Sequence, residues 1–184
     1  MKQLTAQQKR RDSFHRLRKI IVLAMLGALM FASKQLMEFL PNIHMIATLI
    51  ALYTLVYRVW ALIPIYVFAF LEGLLFGFAQ WWYPYLYIWT VLWGAIMLVP
   101  QKMPNKIKIP ICIGLGVVHG LLYGALYAPL QAWMFGYSFK QMLAWIAIGF
   151  PWDVVHACGN LVLGLLLYSL YPALSKLEQK FSSL

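Results

Sequence analysis

Long uncharged apolar runs, each closed by a charge or a turn, organise this chain. Six stand out as candidate helical spans: about 20–37, 43–57, 59–79, 82–100, 109–133 and 142–171. Runs of this length and composition predict membrane-crossing helices. The second is short, which predicts a tilted or partly re-entrant segment. The first carries Lys34 near its far end, the third is interrupted only by Glu72 and the sixth only by Asp153; Pro84 and Pro100 bracket the fourth. The breaks between runs are short, as in a compact bundle. The expected fold is therefore all-α: a six-helix transmembrane domain over 20–172, a basic arm over 1–19 and a short tail over 173–184.

Loop charges orient the bundle, because Lys and Arg accumulate on the cytoplasmic side. With the N-terminus inside, the inner segments hold seven basic residues in the arm, Arg58, the three lysines 102, 106 and 108, and Lys176 and Lys180. The outer loops hold only Lys34 and Lys140. Thirteen against two predicts an even number of spans with both termini cytoplasmic, in a multi-pass protein of the cell membrane.

Composition narrows the function. The chain is 63% hydrophobic and 11% charged, where a soluble domain carries about 25% charged residues. Six spans of ~20 residues occupy ~120 of the 184 positions. That leaves no room for a soluble catalytic domain, and no G-x-x-x-x-G-K-[ST] loop occurs. Energy for any driven process has to come from a partner or an ion gradient. The formal charge of +10 reads as a topology signal whose partner is the anionic bilayer surface, with no role for nucleic acid. The arm leads into a multi-span protein, so it is not expected to be a cleaved signal peptide. Cys112 and Cys158 both fall in apolar runs and predict buried thiols.

Two small-residue stripes follow a four-residue period: Ala24, Ala28 and Ala32 in the first span, and Gly116, Gly120, Gly124 and Ala128 in the fifth. In lipid, helices associate by close backbone approach over such residues. The fifth-span stripe predicts internal packing. The first-span stripe suits either internal packing or docking on another membrane protein.

The predicted outer end is crowded with aromatics, Trp81, Trp82, Tyr83, Tyr85, Tyr87, Trp89 and Trp93 among them. An interfacial belt explains the first three. Tyr85, Tyr87 and Trp89 continue into the span, where rings suit a ligand with a broad flat face. Ionisable residues inside a membrane are costly and face a partner or a cavity. Here they are Glu72, His119, Asp153 and His156; Asn160 shares the helical face of the last two. His119, Tyr123 and Tyr127 make a second stripe. These groups suit interhelical pairing or an outward substrate pocket, with Lys34, Glu38 and His44 in the first outer loop able to close over it. H-E-x-x-H and G-x-S-x-G are both absent, so no catalytic residue and no bound metal is expected.

Together these features resemble the substrate-binding S component of an energy-coupling factor (ECF) vitamin transporter. The resemblance rests on size, the six spans, the basic arm, the Ala24–Ala28–Ala32 repeat and the loop Glu38-Phe-Leu-Pro-Asn-Ile-His44. It also rests on the run Gly149-Phe-Pro-Trp-Asp-Val-Val-His-Ala-Cys-Gly-Asn160, which is similar to a G-x-P-x-D-x-x-H-x-x-G-N pattern of some members. It implies that the subunit captures a vitamin from outside, docks through Ala24, Ala28 and Ala32 on a transmembrane coupling protein carrying two cytoplasmic ATPases, and topples to deliver its ligand. ATP is then used by the partners, and no cofactor is covalently bound. The implied substrate-binding set is Lys34, Glu38, His44, Tyr85, Trp89, His119, Trp152, Asp153, His156 and Asn160. The aromatic load and lack of an outer Arg resemble the cobalamin type most; riboflavin, folate and a queuosine precursor are the alternatives. A small proton-coupled secondary transporter is the rival outside the family.

Overall fold

The computed structural model describes residues 6–182. Within them the chain forms eight α-helices: α1 (Ala6–Leu36), α2 (Ile46–Tyr57), α3 (Leu62–Phe76), α4 (Tyr85–Met97), α5 (Asn105–Leu121), α6 (Tyr123–Phe135), α7 (Phe139–Gly164) and α8 (Leu167–Ser182). Four stretches are long and apolar enough to cross a membrane: 13–36, 46–76, 105–135 and 139–164. At 13 residues, α4 is apolar but shorter.

The stretch 46–76 is not one straight helix. Arg58 leaves α2 with φ 55°, a region costly for any residue with a Cβ, and a single 3₁₀ turn over Arg58–Ala61 leads into α3. Two hydrogen bonds hold the strained corner: the Arg58 guanidinium donates to the Met97 carbonyl at 2.6 Å, and the Trp93 indole donates to the Arg58 carbonyl at 3.1 Å. The chain reverses there. Lys19 lies over the Trp60 ring, Gly27 packs on Pro64 and Val67, and Lys34 pairs with Glu72, so α1 and α3 run parallel. Between them in sequence, α2 runs the other way, its Tyr53 hydroxyl donating to the Leu26 carbonyl.

The fifth apolar run extends over both α5 and α6, with only a slight break at Leu122. Gly136, with φ 67°, closes α6 in the left-handed conformation that glycine adopts freely. Ser138 then starts α7 with a reciprocal capping box: the Gln141 amide donates to the Ser138 hydroxyl, and the Ser138 N–H to the Gln141 side chain at 2.8 Å. From there α7 returns antiparallel to α5 and α6. A Cβ on Gly120 would sit 2.9 Å from the Ala157 backbone, Asn160 Nδ2 donates to the Gly116 carbonyl at 2.9 Å, and Gly164 meets Ile113. The glycine stripe thus serves internal packing.

One boundary and one burial differ from the sequence expectation. The last long helix stops at Gly164, and the residues after it form α8, which packs on α2 and places Tyr171 on Lys108 and Phe181 under Arg18. Hydrophobicity alone carried the expected span to 171, because α8 keeps an apolar face through Leu170 and Leu174. Cys112 is buried, but Cys158 is exposed on the outward side of α7. The core is centred on α2, nearly every residue of which is buried. Large apolar side chains such as Leu98, Trp133 and Ile148 are mostly exposed, which is compatible with a surface that meets lipid.

The seam is directly testable. Gly120→Ala gains helix propensity of about 1 kcal/mol but forces Ala157 backbone apart, at about 1–3 kcal/mol for overpacking. A net loss of thermal stability in detergent is expected. Gly116→Ala, whose added carbon would meet only Ala47 at 3.9 Å, should unfold at or above the wild-type temperature.

Candidate functional site

At the aromatic end of the bundle a cavity of about 170 Å³ lies beneath the loop 37–45. The loop is built by local turns. Leu40 N–H bonds to the Met37 carbonyl and Ile43 N–H to the Leu40 carbonyl. Asn42 takes φ 59°, which asparagine tolerates better than most residues. Ile43 then rests on α7 at Gly159, where an added Cβ would lie 3.2 Å from it. This seat turns His44 inward.

The cavity gathers Lys34, Glu38, His44, Tyr85 and His156 from the expected set. Their elements are far apart in sequence: the end of α1, the loop, the first turn of α4 and the middle of α7. Trp89 and His119 are buried beside them: the Trp89 ring is 6.0 Å from His44, 5.6 Å from Tyr85 and 5.8 Å from His119. His44 and His156 have ring centroids 4.9 Å apart. Tyr123, 5.1 Å from His156, completes the wall. Tyr123 and Gln35 were not in the expected set. The signal for Tyr123 was its place one turn after His119; for Gln35 there was none beyond adjacency to Lys34.

Three expected residues lie elsewhere. Trp152 is 54% exposed on the outer side of α7. The buried Asp153 carboxylate accepts the Gly124 N–H with both oxygens at 3.1 Å, so it caps the first turn of α6 where helix N–H groups lack partners. Asn160 is committed through its amide nitrogen to the α5 backbone. None of the three lines the cavity.

Charge at the cavity is largely spent. Glu72, 1% exposed, is ion-paired with Lys34 and accepts a hydrogen bond from Gln35 Nε2 at 3.1 Å. Glu38 is exposed at the rim. His44, in the loop outside the helices, has its pKa pushed down to about 3, first by burial and then by His156 and Lys34. It is neutral at physiological pH.

Polar atoms at the centre are unsatisfied. Among the described residues, His44 Nδ1, Trp89 Nε1, His119 Nδ1, His156 Nε2 and Asn160 Oδ1 are buried without a hydrogen-bond partner. The His119 tautomer follows from its surroundings. Its Nε2 lies 3.0 Å from the Ile88 carbonyl, which can only accept, so Nε2 carries the hydrogen and Nδ1 offers a lone pair. No group of three or more potential metal ligands occurs among the described residues. The arrangement is suited to gripping a flat molecule by its faces and edges.

Comparison with known proteins gives no further guide: no family model, no curated protein and no solved structure matches the chain.

Two predictions follow from the electrostatics. Lys34→Met strands the Glu72 carboxylate and should cost on the order of 3 kcal/mol of stability, read by thermal unfolding; adding Glu72→Gln should restore most of it. His44 has a folded pKa below its unfolded value of about 6.5. Its contribution to stability is therefore full above pH 6.5 and declines as the pH falls toward 3. His44→Gln should flatten that part of the pH–stability curve.

Proposed function

We propose that this chain is the substrate-capture subunit of an ECF-type vitamin importer, crossing the cell membrane six times with both termini in the cytoplasm. The observation that carries this is the separation of two surfaces. On α1, Leu23, Gly27 and Met30 are buried, with Gly27 packed against α3, while Ala28 and Ala32 are exposed and Ala24 is half-buried. A flat small-residue strip is left facing outward, beside Met25 and Leu29, where another membrane helix can approach closely. The ring-walled cavity lies beyond its far end. One surface suits a coupling protein and the other a ligand.

The six crossings draw support from the reversal at Arg58, which divides one apolar stretch into two antiparallel legs, and from the basic residues gathered at one end. Two cytoplasmic ATPases would supply the energy, in keeping with the absence of a phosphate-binding loop in this sequence. Glu72 and Asp153, the carboxylates a proton-coupled carrier would use, are instead engaged in a salt bridge and a helix cap. Among vitamins, the sequence resemblance puts cobalamin first. The cavity volume weighs against it: about 170 Å³ is below the 300–1,000 Å³ usual for drug-sized ligands, so a corrinoid requires the loop 37–45 to lift.

Ala28→Leu separates the roles. It should leave ligand binding unchanged within about twofold and abolish ATP-dependent uptake, because the larger side chain props a docked helix away. Purification from the native host should bring down two ATPases and a second membrane protein. Uptake into liposomes by this chain alone, driven by a pH gradient, would overturn the assignment.

A further inference from the structure

The inference drawn here rests on the capture role proposed above and concerns the face that meets the partner. α1 is helical over Ala6–Leu36 with no proline and no interruption, which makes it about 46 Å long against a hydrocarbon core of ~30 Å. The Arg18 guanidinium lies over the Phe181 ring and the Lys19 ammonium over the Trp60 ring. In the proposed orientation these cations and rings mark the inner headgroup level. Phe14 then lies about 8 Å beyond Lys19 along the helix axis, and Arg10 about 14 Å.

One face of this helix is open. Arg10, Phe14, Leu17, Ile21, Ala24 and Ala28 are spaced alternately four and three residues apart, the spacing that brings side chains into one seam between two helices. Phe14 is 67% exposed, Leu17 56% and Ile21 51%; Arg10 and Ala28 are exposed and Ala24 is half-buried. Leu23, Gly27 and Met30 turn the opposite face into the bundle. Lipid suffices to cover the part of the open face inside the membrane. It does not suffice for Phe14, because α1 continues along its axis past the headgroups, where a helix resting on the membrane surface would have to turn. A large apolar side chain out there, in line with a membrane seam, marks a contact with another helix.

Charge selects the partner. The first nineteen residues carry seven Lys and Arg against one acidic residue. A second copy of this chain on the same seam would bring Arg10 toward Arg10 and one basic arm against the other, and like charges so placed are unfavourable. A helix bearing carboxylates at that level is favoured instead.

We propose that the face of α1 running from Arg10 to Ala28 is a docking seam for one helix of the coupling protein, with small side chains opposite Ala24 and Ala28 and carboxylates opposite Arg10. Phe14 and Leu17 extend the contact of the alanine strip into the cytoplasm.

The test places photoreactive p-benzoylphenylalanine at Phe14, Leu17 or Ile21 of the full chain in native-host membranes, with the exposed Ile148 of α7 as the control position. Crosslinked peptides are mapped by mass spectrometry. All three seam positions should join the same helix of the membrane protein that comes down with the two ATPases, with Asp or Glu within two turns of the Phe14 crosslink, and Ile148 should not join it. Phe14→Ala with Leu17→Ala should weaken association with that protein about tenfold or more. Arg10→Glu should weaken it at low ionic strength and reduce its salt dependence, because a charge pair outside the membrane is screened. None of these exposed substitutions should move the thermal unfolding of the chain alone. Crosslinks from Phe14 and Leu17 to lipid only, or to a second copy of this chain, overturn the proposal, as does unchanged association of the Phe14 and Leu17 variant. The capture role stands or falls separately: co-purified ATPases with no crosslink from Phe14 or Leu17 sink only the seam, and crosslinks to an acidic helix of a protein without ATPases sink only the importer.

Discussion

Everything at the aromatic end depends on how closely α5 and α6 approach α7. In a lipid-facing bundle, apolar side chains gain nothing by leaving lipid for another helix, so contact geometry decides which helices pair. Gly120 lets the α7 backbone come close at Ala157, and Gly124 leaves room for the Asp153 side chain. Asn160 and Asp153 then fasten the seam with hydrogen bonds to α5 and α6 backbone at either side of His156. His156 is thereby fixed opposite Tyr123, and His119, on the same glycine-bearing helix, is fixed against α4 through the Ile88 carbonyl. Asp153 and Asn160, expected in the sequence to face a substrate, are bonded to neighbouring backbone on either side of His156.

The second constraint is the buried carboxylate of Glu72. An ionised group in such surroundings is tolerated only with its charge matched and its lone pairs occupied. Lys34 and Gln35 do both, and in doing so clamp the end of α1 to α3. The same two residues line the cavity mouth. Their commitment to Glu72 matches the Lys34 charge at the cavity, where Glu38 at the rim is the other charged residue of the lining.

Element type and the main helices were legible in the sequence because uncharged apolar runs and their bounding charges are a strong signal. Helix ends were less so. The end of α7 at Gly164 was hidden by the apolar face of α8, and the break at Leu122 carries no proline or charge to mark it. Within the site, spacing alone put Asp153, His156 and Asn160 on one helical face, correctly, but a face does not say which member meets a cavity and which meets a neighbouring backbone. That distinction depends on the depth at which α5 crosses α7. The alanine stripe of α1 was ambiguous for the same reason: only the position of Gly27 against Val67 shows which side of the helix is turned inward.

The loop 37–45 joins these two constraints. It starts from the clamped end of α1 and is seated on the seam by Ile43 against Gly159. Lifting the loop would break the Ile43 contact, the clamp or both. Ile43 gives way more cheaply: freeing one aliphatic side chain costs about 1.5–3 kcal/mol, whereas pulling Lys34 from Glu72 strands a buried charge at about 3–5 kcal/mol. Of the two ties, the Ile43 seat on the α2 side of the loop is the weaker, and His44 follows it directly. Ile43 and His44 are neighbours on the weaker side of the loop, while the end of α1, beyond its exposed alanine strip, is held by the ion pair to Glu72.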